Sequence, residues 1–244
     1  QAIEGLAAGA QDLTLTLGAG SLTFLSSVGA ATRLGVLTVV SALDVDAVAL
    51  RVSALVQGAG TGTTTFAGTV DTDAAGGISL TGTAFHWYAA VTVAGGGSVT
   101  IANSGRLDLG EDADMTIAGA FTQSGTGSGA TTADIQAATG AISFNAPVYL
   151  TDNAANTVQW TAGTEITHYG AAPGNFDLHI YAPGLVFTLG SNLTCRSLVL
   201  YDGTIDVNGK TLRTHRDLVL LGDGGTAYSD DDPDNGDADD QVFA

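Results

Sequence analysis

The chain has 244 residues, 45% of them hydrophobic and 13% charged, which suits a packed core and excludes a disordered tail. Seven Lys and Arg face 25 Asp and Glu for a net charge of −18, a surface that repels nucleic-acid backbones and anionic lipid headgroups and favours cations. With 34 Gly, 4 Pro and 7% aromatic residues, the composition points to many short strands joined by tight turns.

Taken in chain order, apolar and small polar residues alternate at 13–17, 36–40, 78–80, 91–93, 107–109 and 115–117, the period of a half-buried strand. Thr is the usual outward residue. The motif Gly20-Ser21-Leu22-Thr23-Phe24 recurs as Gly97-Ser98-Val99-Thr100-Ile101 and as Gly140-Ala141-Ile142-Ser143-Phe144. Leu43 to Val56 is apolar and free of Gly, but Val45, Val48, Leu50, Val52 and Leu55 lean towards alternation. It reads as two strands rather than one helix. His86-Trp87-Tyr88 is an unusual aromatic cluster, read as a coil insertion packed on the body of the protein or as a stacking surface for a sugar ring. The Gly-rich stretches at 58–62 and 94–97 are not followed by the GK[ST] of a phosphate loop.

From residue 157 a repeat becomes countable. Thr157-Val158-Gln159-Trp160-Thr161, Asp177-Leu178-His179-Ile180-Tyr181, Ser197-Leu198-Val199-Leu200-Tyr201 and Asp217-Leu218-Val219-Leu220-Leu221 align without gaps at an interval of 20 residues. A second column, Ile166, Val186 and Asp206, keeps the interval but sets an aspartate where two apolar residues stood. A unit this short with two or three strands cannot bury its own faces and must stack on its neighbours. Propeller blades need about twice the length, and a sandwich shows no fixed spacing. The expected fold is therefore all-β: a single-stranded parallel β-helix, or β-solenoid, with coils of about 20 residues over 1–228. Gly and Asn at the corners supply positive φ. Both ends of such a stack are expected to be open β edges.

Residues 229–244 form a separate acidic tail, either a flexible linker or a calcium loop. Asp230, Asp232, Asp234, Asn235, Asp237 and Asp239 are the candidate ligands for Ca²⁺, although the EF-hand spacing does not fit. Asp71 and Asp73, and Glu111, Asp112 and Asp114, read as exposed turn residues. His86, His168, His179 and His215 show no zinc spacing. Cys195 is the only cysteine, so no intrachain disulfide forms, and a small buried residue is expected there. No apolar run reaches the roughly 18 residues of a membrane-spanning helix. The chain starts at Gln1 and has Met115 as its only methionine, as in a piece of something longer.

LGAGSLTFLSSVGAATRLGVLTVVSA, ATGAISFNAPVYLT and NLTCRSLVLYDGTIDVNGKTL resemble the β-strand repeats of filamentous-haemagglutinin-like and autotransporter-passenger adhesins of bacteria. The resemblance implies a right-handed β-helix, an extracellular or cell-surface location, and a structural or adhesive role as stalk, adhesin or matrix fibre. Its partners would be neighbouring solenoid segments, copies of itself end to end, or surface glycans, with no nucleic acid and no membrane insertion. Enzyme activity is not expected. The alternatives are a glycan-acting β-helix lyase or hydrolase, for which Arg196, Arg216, Asp202 and Asp206 are the nearest mix of groups, and a carbohydrate- or ice-binding module presenting flat Thr rows.

Overall fold

The computed structural model describes residues 2–131, 133–150, 157–163, 166–169, 177–189, 193–195, 197–214, 216–221 and 241–243. The fold is an all-β solenoid of parallel strands, with stacked residues roughly 21 apart and no helix among the described residues. Leu43 to Val56 forms two strands, Val45–Ala47 and Leu50–Gln57, as its alternation implies.

Each coil visits three faces in turn. On the first face the inward column runs Leu13, Leu37, Leu55, Ile78, Val99, Phe121, Ile142, Ile166, Phe187 and Ile205. On the second it runs Leu22, Val45, Thr64, Phe85, Leu107 and Gly129, with Val148 at the next register position. On the third it runs Ile3, Val28, Leu50, Val70, Val91, Met115, Ile135, Trp160, Ile180, Leu200 and Leu220. Most of the three columns meets in one large apolar cluster, with a smaller one of Val39, Ala42 and Val45 near the start of the chain. Like residues lie over like because each strand pairs in register with its counterpart one coil on, and successive side chains of a strand point to opposite faces.

The gap-free repeat from 157 to 221 is the third face: Val158, Leu178, Leu198 and Leu218 hold successive register positions, and Trp160, Ile180, Leu200 and Leu220 stack. The second sequence column is corrected. Ile166 stacks on Phe187 rather than Val186, and Phe187 on Ile205 rather than Asp206. The first step is one residue longer and the second shorter than a constant interval allows. Asp206 thereby falls opposite Thr188 and stays exposed, so the first-face column keeps an apolar residue at every level. The shared motif likewise serves two faces: Leu22 belongs to the second, while Val99 and Ile142 belong to the first.

Corners depend on close approach of one coil to the next. Gly95 has φ 62°, and a side chain there would strike the Asp73 carbonyl of the neighbouring coil. Both Gly-rich stretches are such corners. At the corner after the first face the interior is polar. Gln123 Nε2 donates to Asn103 Oδ1 at 2.7 Å and to the Gly127 carbonyl at 3.1 Å, and Gln123 Oε1 accepts from the Ala146 amide at 3.1 Å. Asn103 Nδ2 donates to the Gly105 carbonyl at 2.6 Å. Each amide is buried and satisfied by the turn it encloses, so the chain bends there without stranding its backbone groups.

The expectation of open edges is corrected at one face of one end. At the start, Leu13, Leu15 and Leu22 point inward yet remain half-buried, because no described coil lies over them. At the other end, Gln241–Phe243 pairs antiparallel with Leu212–Thr214 and closes that edge of the second face.

Candidate functional site

The six proposed calcium ligands, Asp230, Asp232, Asp234, Asn235, Asp237 and Asp239, lie outside the described residues, as does the boundary at 228 and 229. Among the described residues no group of three or more His, Cys, Asp or Glu side chains could hold a metal ion. His168 and His179 take regular strand positions, beside Phe144 and Gln159 respectively, and His215 and Arg196 lie outside the described residues. Asp206 Oδ1 accepts from the Asn208 amide at 2.9 Å in a turn where Asn208 has φ 47°, so that carboxylate shapes a corner. Cys195 ends the strand Leu193–Cys195.

The aromatic cluster is not an insertion. His86 and Trp87 belong to the strand Ala84–Trp87, whose Ala84, Phe85, His86 and Trp87 pair in register with Thr63, Thr64, Thr65 and Phe66. Trp87 is fully buried, its ring 4.0 Å from Phe66 at 27°. Tyr88 faces solvent, 49% exposed, and the outward, half-buried His86 sets its ring edge-on to it at 6.3 Å. A sugar-stacking surface there is thus reduced to Tyr88 and the half-buried His86, without Trp87.

The acidic groups have work that spacing did not reveal. Asp71 is a strand residue, and with Asp73 it holds Arg33. Arg33 Nη2 lies 2.8 Å from Asp71 Oδ2, Nε lies 2.9 Å from Asp73 Oδ2, and Nη1 donates to the carbonyls of Val52 and Asp71 at 2.8 and 2.9 Å. The Arg33 side chain is only 9% exposed. Its planar fork joins residues of three successive coils, which a flexible ammonium could not do as well. Arg51 adds a looser contact to Asp71 at 3.6 Å.

Elsewhere carboxylates staple coil to coil. Glu4 Oε2 accepts from the amides of Ala31 and Thr32 at 3.0 and 2.9 Å. Asp12 accepts from Val36 at 2.7 Å, Asp114 from Asp134 at 3.0 Å, and Asp134 from Gln159 at 2.7 Å. Asp44 spans three coils, accepting from the Thr63 amide at 2.9 Å and from Ser21 Oγ at 3.2 Å. Each of these carboxylates sits between strands and takes an amide of another coil, a charge-assisted bond to a group that would otherwise need another acceptor.

Two surfaces could meet a ligand. The outward column of the first face runs Thr14, Thr38, Val56, Ser79, Thr100, Thr122 and Ser143, with Thr167 and Thr188 at the next register positions. Its hydroxyl-bearing residues repeat at about 4.8 Å. At the corner between the first and second faces, a shallow groove of about 360 Å³ is lined by small residues of successive coils, among them Gly60, Gly82, Ala102 and Gly125. Neither surface brings an acid and a base together among the described residues, so what they offer is shape and hydrogen bonding.

The fold and site define a parallel β-solenoid. No family model matches the chain, and neither the curated proteins nor the solved structures contain a match to it.

Arg33→Ala is expected to lower stability by about 2–3 kcal/mol, because it strands two carboxylates and two carbonyls. That value allows for the solvent reaching Asp71 and Asp73. Arg33→Lys should recover less than half of it. Urea unfolding followed by hydrogen exchange of the coils holding residues 33, 52 and 71 measures both. Unchanged exchange in the alanine variant would contradict the clamp.

Proposed function

We propose that the chain is a non-catalytic structural segment, a stiff rod within a secreted bacterial surface protein or filament that sets an adhesive surface in line with neighbouring solenoid segments. The observation that carries this reading is the register of the first and third columns, continuous from Leu13 to Ile205 and from Ile3 to Leu220 and tied from outside by Arg33 and the carboxylate staples. A stack in which each coil contacts only its neighbours resists bending along its whole length without needing a wide core. The resemblance to adhesin repeats supplies the extracellular setting. Exposed Leu25, Val48 and Tyr88, on the corner that follows the second face, support an adhesive role, since apolar side chains held out on a rigid scaffold favour contact with a partner.

Single-molecule pulling from the two chain ends tests the rod. Coil-by-coil release is expected, in steps of about 21 residues or roughly 70 Å of extended chain. One all-or-none event, with globular particles in electron micrographs, would sink the reading.

The Thr and Ser column supports a second reading, a face that binds an ordered hydroxyl-rich surface such as crystalline polysaccharide or ice. A ladder repeating at about 4.8 Å suits a lattice better than a single soluble sugar. If so, Thr100→Lys with Thr122→Lys should abolish co-sedimentation with crystalline chitin or cellulose, or the inhibition of ice recrystallisation, while leaving the circular dichroism intact. Absence of both activities in the unaltered chain removes this reading.

A further inference from the structure

We infer that the groove at the corner between the first and second faces binds a single chain of an uncharged, β-linked polysaccharide, laid along the axis of the solenoid. The inference goes beyond the rod reading. It needs no ordered lattice, so it also stands apart from the second reading of the hydroxyl column.

The groove crosses successive coils, from Gly60 past Gly82 and Ala102 to Gly125. Its floor is bare because the bend leaves no room for side chains. A Cβ at Gly60 would lie 2.6 Å from Gln57 Nε2, and one at Gly82 would lie 3.0 Å from the Phe85 ring and 3.2 Å from the same nitrogen. Gln57 is 3% exposed, and its Oε1 accepts from Thr64 Oγ1 at 2.9 Å. Its Nε2, set against the two floor glycines, has no partner among the described residues. Gln123 shows the contrast. It stands in the same inward column, after Gln57, Leu80 and Ile101, and spends its Nε2 on Asn103 and Gly127. Nor is the Gln57 nitrogen sealed from solvent, as Trp87 Nε1 and Thr72 Oγ1 are. A donor held in a buried side chain without an acceptor is costly, and a ligand oxygen resting on the floor beside Gly60 and Gly82 would supply one.

The lining sets the chemistry of the occupant. Thr81 stands on the first-face lip, and Ser104 and Thr126 stand beyond the bend; all three are exposed, and no charged side chain lines the groove. The face beside it is uncharged as well. Thr81 and Ala102 belong to a second outward column of the first face, Val40, Gly58, Thr81, Ala102 and Ser124, next to the hydroxyl column. From Thr14 to Ser143 the two columns hold no charged residue, in a chain with 25 Asp and Glu. An anionic glycan would meet no counter-charge here and a net charge of −18 around it. A neutral, hydroxyl-rich chain gives up no charge hydration, and its hydroxyls both donate and accept. The spacing fits too. Strands recur at about 4.8 Å, and each ring of an extended β-linked glycan advances by close to one strand spacing. The volume of about 360 Å³ lies at the small end of ligand sites, which run from about 300 to 1,000 Å³. That suits a short stretch of one chain rather than the face of a crystal.

Titration of the full chain with cellohexaose, mannohexaose and chitohexaose, followed by nuclear magnetic resonance, tests the proposal, with hexagalacturonate as the charged control. At least one neutral hexasaccharide is expected to bind at millimolar concentration and to shift the Gln57 side-chain amide. Ala102→Leu fills the groove from its outward side and should weaken binding at least tenfold with unchanged circular dichroism. Gln57→Leu with Thr64→Val removes the free amide together with its hydroxyl partner, so no buried polar atom is stranded. It should weaken binding about fivefold, the worth of one hydrogen bond. Thr100→Lys with Thr122→Lys alters the hydroxyl column outside the groove and should leave the affinity within about twofold. The proposal is overturned if no neutral hexasaccharide binds, if Ala102→Leu leaves binding intact, if the Gln57 amide does not move, or if hexagalacturonate binds more tightly. A loss in the Thr100 and Thr122 variant equal to that in Ala102→Leu would put the site on the column and also overturn it. A chain that binds no hexasaccharide yet co-sediments with crystalline chitin or cellulose refutes the groove and leaves the lattice reading standing.

Discussion

A coil of about 21 residues has no interior of its own. Its apolar side chains leave water only when another coil lies above and below, and its backbone groups are paired only by those same neighbours. Everything else in the molecule follows from that dependence: in-register ladders on three faces, corners pressed so close that Gly95 admits no side chain, and buried amides such as Gln123 that hold the bends from inside.

The net charge of −18 looks at first like a solubility device. The positions of Glu4, Asp12, Asp44, Asp114 and Asp134 give part of it a second use. Each accepts an amide from another coil, and most sit at corners where the ladder is interrupted. Carboxylates serve here because they accept without donating, while the exposed amide of a bend can only donate. Arg33 is the converse, a donor fork placed where carbonyls and two carboxylates converge.

The solenoid was legible in the sequence chiefly between 157 and 221, where three successive coils of the third face have equal length and Val158, Leu178, Leu198 and Leu218 align by eye. Further towards the start the spacing wanders. Leu37 stacks on Leu55 only 18 residues later, and Ile135 on Trp160 a full 25 later. Corners absorb these differences without disturbing the strands, so alternation survives while the period is blurred. The same variation hid the true partner of Ile166, and it hid the staples. Arg33 meets Asp71 across 38 residues and two coil steps, a separation that no local pattern marks. Trp87 was misplaced for a different reason: its polar neighbours His86 and Tyr88 suggested a surface cluster, whereas strand alternation sends the middle residue inward.

The central claim is that the coils stack in one continuous register along a straight axis. Spin labels on the outward column measure it directly: Thr14 paired with Thr122 and then with Ser143, after Cys195→Ser. Thr14, Thr38, Val56, Ser79, Thr100, Thr122 and Ser143 are successive members of that column. Pulsed electron–electron resonance should give about 24 Å for the first pair and about 29 Å for the second, one inter-strand spacing apart. Equal distances, or a second distance shorter than the first, would mean that the column does not advance along an axis, and the stacked-coil account would be wrong.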